Sequence, residues 1–244
     1  MIRPHHTATD FAGAVFTAPP ARSNWMRDIV LRHIPRRHAI RLLDLGCGTG
    51  SLLFRLADAL PAATLVGIDV SAANIRVARQ QANHASAARV QFEVADYLTY
   101  RAEPFDAIVT DSVLHLLRVE TVVLVRKLAS DLRPDGLLLC GMPFDCTYNR
   151  TLAVLRRALG RLRAPWLDRG ILHVGRFLHG RDMDDASLRE RVPYIYMPPA
   201  RLMNESLEEC FASAGLERTA EYEALNTSPA QLKHRVTIFV RRDA

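Results

Sequence analysis

From Arg41 to about Phe144 the apolar positions switch between two rhythms. Short runs, "IRLLDL" (40–45), "TLVGID" (64–69), "VQFEVAD" (90–96), "FDAIVTD" (105–111) and "LLLCGM" (137–142), are continuous or alternate with period two. They predict strands. Between them apolar residues recur three and four apart: Leu52, Leu53, Leu56 and Leu60, then Ile75, Ala78 and Ala82 behind a capping Ser71, then "VETVVLVRKLASDL" (119–132), stopped by the turn "RPDG". Strands separated by helical stretches imply a parallel sheet with right-handed crossovers, covered on both faces. Ligands of such sheets sit at the carboxyl ends of the strands, near the topological switch point.

After Pro143 the alternation lapses for about sixty residues and resumes with "LEECFASAGLE" (207–217), a helix ended by Gly215. "HRVTIFVRR" (234–242) closes the chain as a last strand. The expected organisation is an N-terminal cap segment, 1–40, and one domain, 41–244, with an insertion at about 145–203 lying over the ligand edge. Within the insertion Leu152, Leu155, Leu159 and Leu162 form an apolar stripe, with Arg156, Arg157, Arg161 and Arg163 mainly on other faces. That is a basic amphipathic helix, weakened by Gly160.

Composition sets bounds. The 244 residues, 49% hydrophobic and 24% charged, suit a single α/β domain. No apolar run approaches the roughly 18 residues that span a bilayer. "FAGAVFTAPPA" (11–21) imitates a secretion signal but is short, lacks leucine and follows Asp10, so it reads as part of the cap. Four cysteines without CxxC spacing read as reduced thiols in a cytoplasm. The net charge of +6 is local, because residues 150–181 carry eight arginines against one acid, Asp168.

The loop "DLGCGTGS" (44–51) carries the chemistry. A glycine loop after a first strand usually receives phosphate at the following helix N-terminus. Here Gly46, Gly48 and Gly50 give GxGxG, with Ser51 where the dinucleotide pattern has its third glycine. Asp44 at the strand end would repel a pyrophosphate and attract an ammonium group. The loop therefore favours a cofactor with positive charge and no phosphate, a description that S-adenosylmethionine meets.

"LLDLGCGTG", "GIDVS", "VADY" and "FDAIVTDSVLHLL" resemble, in order and spacing, the successive motifs of the class I S-adenosylmethionine-dependent methyltransferases. The resemblance covers about Arg41 to Phe144. It implies a Rossmann-like, doubly wound, seven-stranded and mostly parallel sheet with the last strand antiparallel, and it implies residue roles. Asp69 resembles the acid that accepts from both ribose hydroxyls, with Val70 packed on the adenine. Asp96 resembles the acceptor for the adenine amino group, with Tyr97 beside it. Asp44 resembles the acid near the methionyl ammonium, with Gly46, Cys47 and Gly48 forming the loop around it. The backbone around Thr110 would line the methionine end. Single acids of this kind also serve as helix caps, and Asp69 before "VSAANI" is placed to do so.

Methyl transfer from a sulfonium needs positioning more than machinery. If the acceptor is a hydroxyl or a protonated nitrogen a base helps, and His115 in "DSVLHLL" is the candidate, though the same position can simply shape the cofactor pocket. Tyr148, His173, His179 and Tyr194 are further acceptor-binding candidates in the insertion. The chain has "TDSV" where base-amino methyltransferases have [DN]PP[YFW], which counts against adenine or cytosine amino groups. No metal-ligand spacing stands out. The expectation is a cytoplasmic methyltransferase acting at oxygen or nitrogen of a small, possibly anionic, organic molecule in a biosynthetic pathway. Alternatives are an RNA methyltransferase, with the arginine-rich segment as its footprint, and a non-catalytic relative that binds the cofactor as an accessory protein.

Overall fold

A single sheet organises the chain: β1 (Arg41–Leu45), β2 (Thr64–Asp69), β3 (Val90–Val94), β4 (Phe105–Asp111), β5 (Leu132–Pro143), β6 (Leu216–Glu223) and β7 (His234–Arg241), in the order β3-β2-β1-β4-β5-β7-β6. The computed structural model describes residues 15–34, 39–84, 89–179, 185–223 and 231–242. β1 to β5 are parallel, and β7 runs antiparallel to both β5 and β6. The strand order reverses between β1 and β4. Their carboxyl ends diverge there and leave the crevice in which open sheets of this kind bind ligands.

β1 reads as an unbroken apolar run because both of its faces are covered. Leu42 packs on one side with Leu53 and Leu56 of α2 (Ser51–Ala59), Ile75 of α3 (Ala72–His84), and Met26, Ile29 and Val30 of α1 (Pro20–His33). Leu43 packs on the other with Ile108, with Leu124 and Leu128 of α4 (Thr121–Ser130), and with Phe211 of α8 (Glu205–Ser213), itself stacked on Phe239 at 4.5 Å. Each such buried leucine contributes about 1.5–3 kcal/mol relative to its exposed state. Ser71 caps α3 as expected, its hydroxyl accepting from Asn74 N at 3.2 Å. Gly215 (φ 78°) follows the end of α8.

Two elements differ from expectation. The "RPDG" turn lies within β5 as a bulge: Phe105 pairs with Leu132 and Ala107 already with Leu137, while Asp135 takes a left-handed backbone (φ 56°). The strand that closes the far edge, β6, covers "LERTAEYE", a mostly polar stretch because all but its first residue are exposed or half-buried.

The insertion leaves and rejoins the sheet at one point. Phe144 bridges to Met203, Asp145 N donates to the Met203 carbonyl, and Met203 N donates to the Pro143 carbonyl, both at 2.8 Å. Between these ends lie α5 (Thr147–Arg161), α6 (Pro165–His179) and α7 (Asp185–Ile195). The leucine stripe of α5 lies only partly on its inward face: Leu152 and Leu159 are half-buried, as is Arg156, but Leu155 is 50% and Leu162 66% exposed, and the buried positions are Asn149 and Ala153. Asn149 sets this rotation. Its amide nitrogen donates to the carbonyls of Phe144 (2.7 Å) and Lys233 (2.8 Å), and its oxygen accepts from Lys233 N (2.8 Å). Burying that amide with its bonds satisfied turns residues 149, 153 and 156 toward the sheet.

Candidate active site

The loop after β1 has the shape of a phosphate cradle with an acid, Asp44, at its mouth. Gly46, Gly48 and Gly50 all take φ between 54° and 83°, which lets the chain reverse into α2. The N–H groups, however, are spent inside the protein. Those of Gly46 and Cys47 donate to the Ile68 carbonyl (2.9 and 3.0 Å), that of Gly48 to Asp69 Oδ2 (2.9 Å), that of Thr49 to the Phe16 carbonyl (3.2 Å) and that of Gly50 to the Cys47 carbonyl (2.9 Å). The N–H groups of Ser51, Leu52 and Leu53 in the first turn of α2 have no acceptor among the described residues and stay open to an anionic group such as a carboxylate. The Phe16 contact brings the N-terminal segment across the loop, and Phe16 N is anchored in turn on Asn74 Oδ1 at 2.7 Å. A Cβ at Gly48 would stand 2.6 Å from the Phe16 carbonyl oxygen.

Beside this loop three acids converge. Asp44 is 5% exposed and has no hydrogen-bond or ion-pair partner among the described residues. Burial above all, and then the nearby charges of Asp111 and Asp69, push its carboxyl up to about 8. A buried carboxyl held between two other acids is a strong site for a cation. Asp69 ties the loop to the turn after β2: besides Gly48 N it accepts from Ser71 N (2.8 Å) and Asn74 Nδ2 (3.3 Å). Asp111 is held by Arg22 of α1, and Ser112 after it has a left-handed backbone (φ 65°).

The remaining expected residues divide. Val70 and Asp96 are half-buried near the strand ends, and Asp96 Oδ1 accepts from Leu98 N at 2.9 Å. Cys47 turns into the core, where burial holds its thiol well above the ordinary range. Thr110 is fully buried, with its hydroxyl unpartnered. Tyr97, expected beside the adenine, is instead 2% exposed in the α4 core, with the Lys127 ammonium 4.6 Å from its ring centre. The turn after β3 explains this: Thr99 N and Tyr100 N both donate to the Asp96 carbonyl, and within that turn Tyr97 packs with the apolar side chains of α4 while Asp96 stays half-buried.

Past β4, His115 is buried and its Nδ1 has no partner. Its ring meets that of His234 edge-on at 5.6 Å. Burial, then His234, Arg156 and Arg201, hold His115 well below the usual histidine range, so it is a neutral imidazole at neutral pH. His234 is a residue of this corner that no local motif marks. Its signal was topological: the first residue of an antiparallel last strand must lie at the carboxyl edge of the parallel ones, and His234 pairs with Pro143 at the end of β5. Of the insertion candidates, Tyr148 lies near this corner, its hydroxyl donating to the Gln231 carbonyl at 3.2 Å, and His173 is exposed on α6. The side chains of His179 and Tyr194 lie outside the described residues. Among the described residues no group of three His, Cys, Asp or Glu side chains is placed to hold a metal ion, and no helix is long and apolar enough to cross a membrane.

A family model described as a methyltransferase domain matches residues 37–153. A ubiquinone biosynthesis O-methyltransferase of Chelativorans sp. is 30% identical over 204 residues, 77% of each chain. A trans-aconitate 2-methyltransferase of Azoarcus sp. is 34% identical over 123 residues, 50% of this chain and 46% of the relative. The fold matches that of magnesium protoporphyrin IX methyltransferase from Synechocystis with bound S-adenosylhomocysteine, with a TM-score of 0.59 at 17% identity over 91% of this chain and 83% of that one. Sheet order, loop and relatives agree, and the chain belongs to the class I S-adenosylmethionine-dependent methyltransferases.

Proposed function

We propose that this methyltransferase acts on an oxygen atom of a small organic molecule, within a pocket closed by the N-terminal segment and the 145–203 insertion. The observation that carries the cofactor half of this reading is Asp44, a buried carboxyl without a partner at the mouth of the glycine loop. That acid favours a ligand with an ammonium group over a diphosphate. In this reading Asp44 faces the ammonium, Asp69 the ribose and Asp96 the adenine amino group, with Gly46, Cys47, Gly48, Val70 and the backbone at Thr110 forming walls. The bound cofactor supplies a methyl group whose leaving sulfur departs neutral, so the protein's task is to aim the acceptor and exclude water.

Oxygen is favoured because the relatives with the longer matches are named as O-methyltransferases. An RNA acceptor is disfavoured by the use of the arginines. Arg150 pairs with Asp145, Arg163 with Asp168 and Arg176 with Asp185, while Arg156 turns inward. Arg157, Arg161 and Arg169 stay exposed without an ion pair among the described residues, a patch confined to the insertion rather than spread over the molecule as an RNA footprint would be. Transfer of a labelled methyl group to a panel of phenols, carboxylic acids, amines and bulk RNA tests this. Label in phenols or acids supports the reading, and label confined to amines or RNA overturns it.

A further inference from the structure

The corner where β5, β7, α5 and the loop after β4 meet contains polar atoms that the fold itself does not use. His234 Nδ1 lies 2.7 Å from the Leu232 carbonyl, an atom that can only accept, so in the neutral ring the proton is on Nδ1 and Nε2 carries the lone pair. That Nε2 is buried and has no partner, and neither has Nδ1 of the adjoining His115. A buried polar atom left unmade costs about 1–3 kcal/mol. Two of them on touching rings at the edge that holds the candidate site are better explained by a ligand than by packing.

We infer that His234 is a catalytic residue of this enzyme, its Nε2 accepting the proton of a phenolic hydroxyl that enters the corner between His234, His115 and Arg156. This rests on the O-methylation reading above. The proton leaves the acceptor oxygen for Nε2, and the O–H electron pair stays on oxygen to form the new bond to the methyl carbon as the C–S pair withdraws to sulfur. The imidazolium later returns its proton to solvent. The surroundings suit the task. Burial is the main influence on His234 and lowers its affinity for protons; Asp111 and the Leu232 carbonyl raise it, and Arg22 and Arg156 lower it further. The ring is therefore neutral before the acceptor arrives. Asn149, by gripping both backbone groups of Lys233, is a positioning residue for His234.

The test is imidazole nitrogen NMR on the full-length protein labelled at histidine, with S-adenosylhomocysteine added, using His234→Gln and His115→Gln to assign signals. At pH 7.5 we expect the His234 ring to be neutral with its proton on Nδ1. Millimolar phenol should shift Nε2 of His234 and Nδ1 of His115 before other histidines, whereas benzoate, which carries no proton at this pH, should leave Nε2 of His234 in place. A proton found on Nε2, no shift with phenol, or an equal shift with benzoate overturns the inference. Calorimetry with S-adenosylhomocysteine alone is run beside it: loss of that binding counts against the cofactor reading and leaves the NMR result to stand separately.

Discussion

Arg22 and Asp111 form a two-pronged ion pair, Nε to Oδ2 at 2.7 Å and Nη2 to Oδ1 at 2.6 Å, that joins α1 to the carboxyl end of β4. Both side chains are mostly buried, and the Arg22 guanidinium also lies 4.7 Å from the Trp25 ring centre. The N-terminal segment is thus fastened to the acid that neighbours Asp44. Hydrogen bonds to charged groups contribute about 1.5–3 kcal/mol, so we expect Arg22→Gln to lose that much stability in urea denaturation. An unchanged midpoint would mean that the pair behaves like an exposed one.

Asp44 should trade stability for binding. Its folded-state pKa is raised to about 8 from an ordinary value near 3.8. The folded state therefore binds the extra proton, and this group's contribution to stability falls as pH rises from about 4 through 8. Replacing it by a neutral amide removes that loss. Ligand-free Asp44→Asn should melt higher than the wild type at pH 8, by about 2–4 °C for each kcal/mol recovered, with a smaller difference at pH 5. The same variant should bind S-adenosylhomocysteine more weakly. A melting difference that does not depend on pH would refute the assignment.

Asp69 holds the loop and, in the proposed role, the ribose. Losing hydrogen bonds to a charged acceptor worth about 1.5–3 kcal/mol should cost Asp69→Ala about tenfold to a hundredfold in affinity for S-adenosylhomocysteine. Wild-type affinity in a folded variant would show that Asp69 serves only Gly48 and the turn.

Much of this architecture was legible because local patterns and tertiary needs agree. The runs at Leu42–Leu45 and Phe105–Asp111 are apolar on both faces because each strand is sandwiched, and Ser71 and Gly215 sit where a cap and a helix stop are required. Where packing departs from pattern, legibility fails. β6 is an edge strand whose core face is marked by Ala220 and Tyr222 alone, a period-two signal too short to stand out among its charged neighbours. The α5 leucines suggest an inward stripe, yet one buried amide, Asn149, turns the helix so that Arg156 faces the sheet. In the site, acids following strands can be read from order and spacing. Tyr97 could not be separated from Asp96 by spacing alone, and Arg22 and His234 come from the two ends of the chain, joined to the site only by the fold.

Asn149 offers a test of how the insertion is held. Asn149→Leu leaves Lys233 N–H and the Phe144 carbonyl without their partner, while the Lys233 carbonyl keeps Phe144 N at 3.4 Å, at about 1–3 kcal/mol for each unpaired group that water cannot reach. We expect a loss of at least that size in chemical denaturation, with faster hydrogen exchange at Lys233 than in the centre of β7. Uniform exchange along β7 would mean that Asn149 stabilises the domain without anchoring α5.

The electrostatic character of the loop is tested most directly by titration calorimetry with S-adenosylhomocysteine and with NAD near pH 7, repeated in buffers of different ionisation enthalpy. We expect S-adenosylhomocysteine to bind with release of close to one proton as Asp44 ionises against the ammonium, and NAD to give no heat. Binding of NAD, with no heat from either S-adenosylmethionine or S-adenosylhomocysteine, would contradict it.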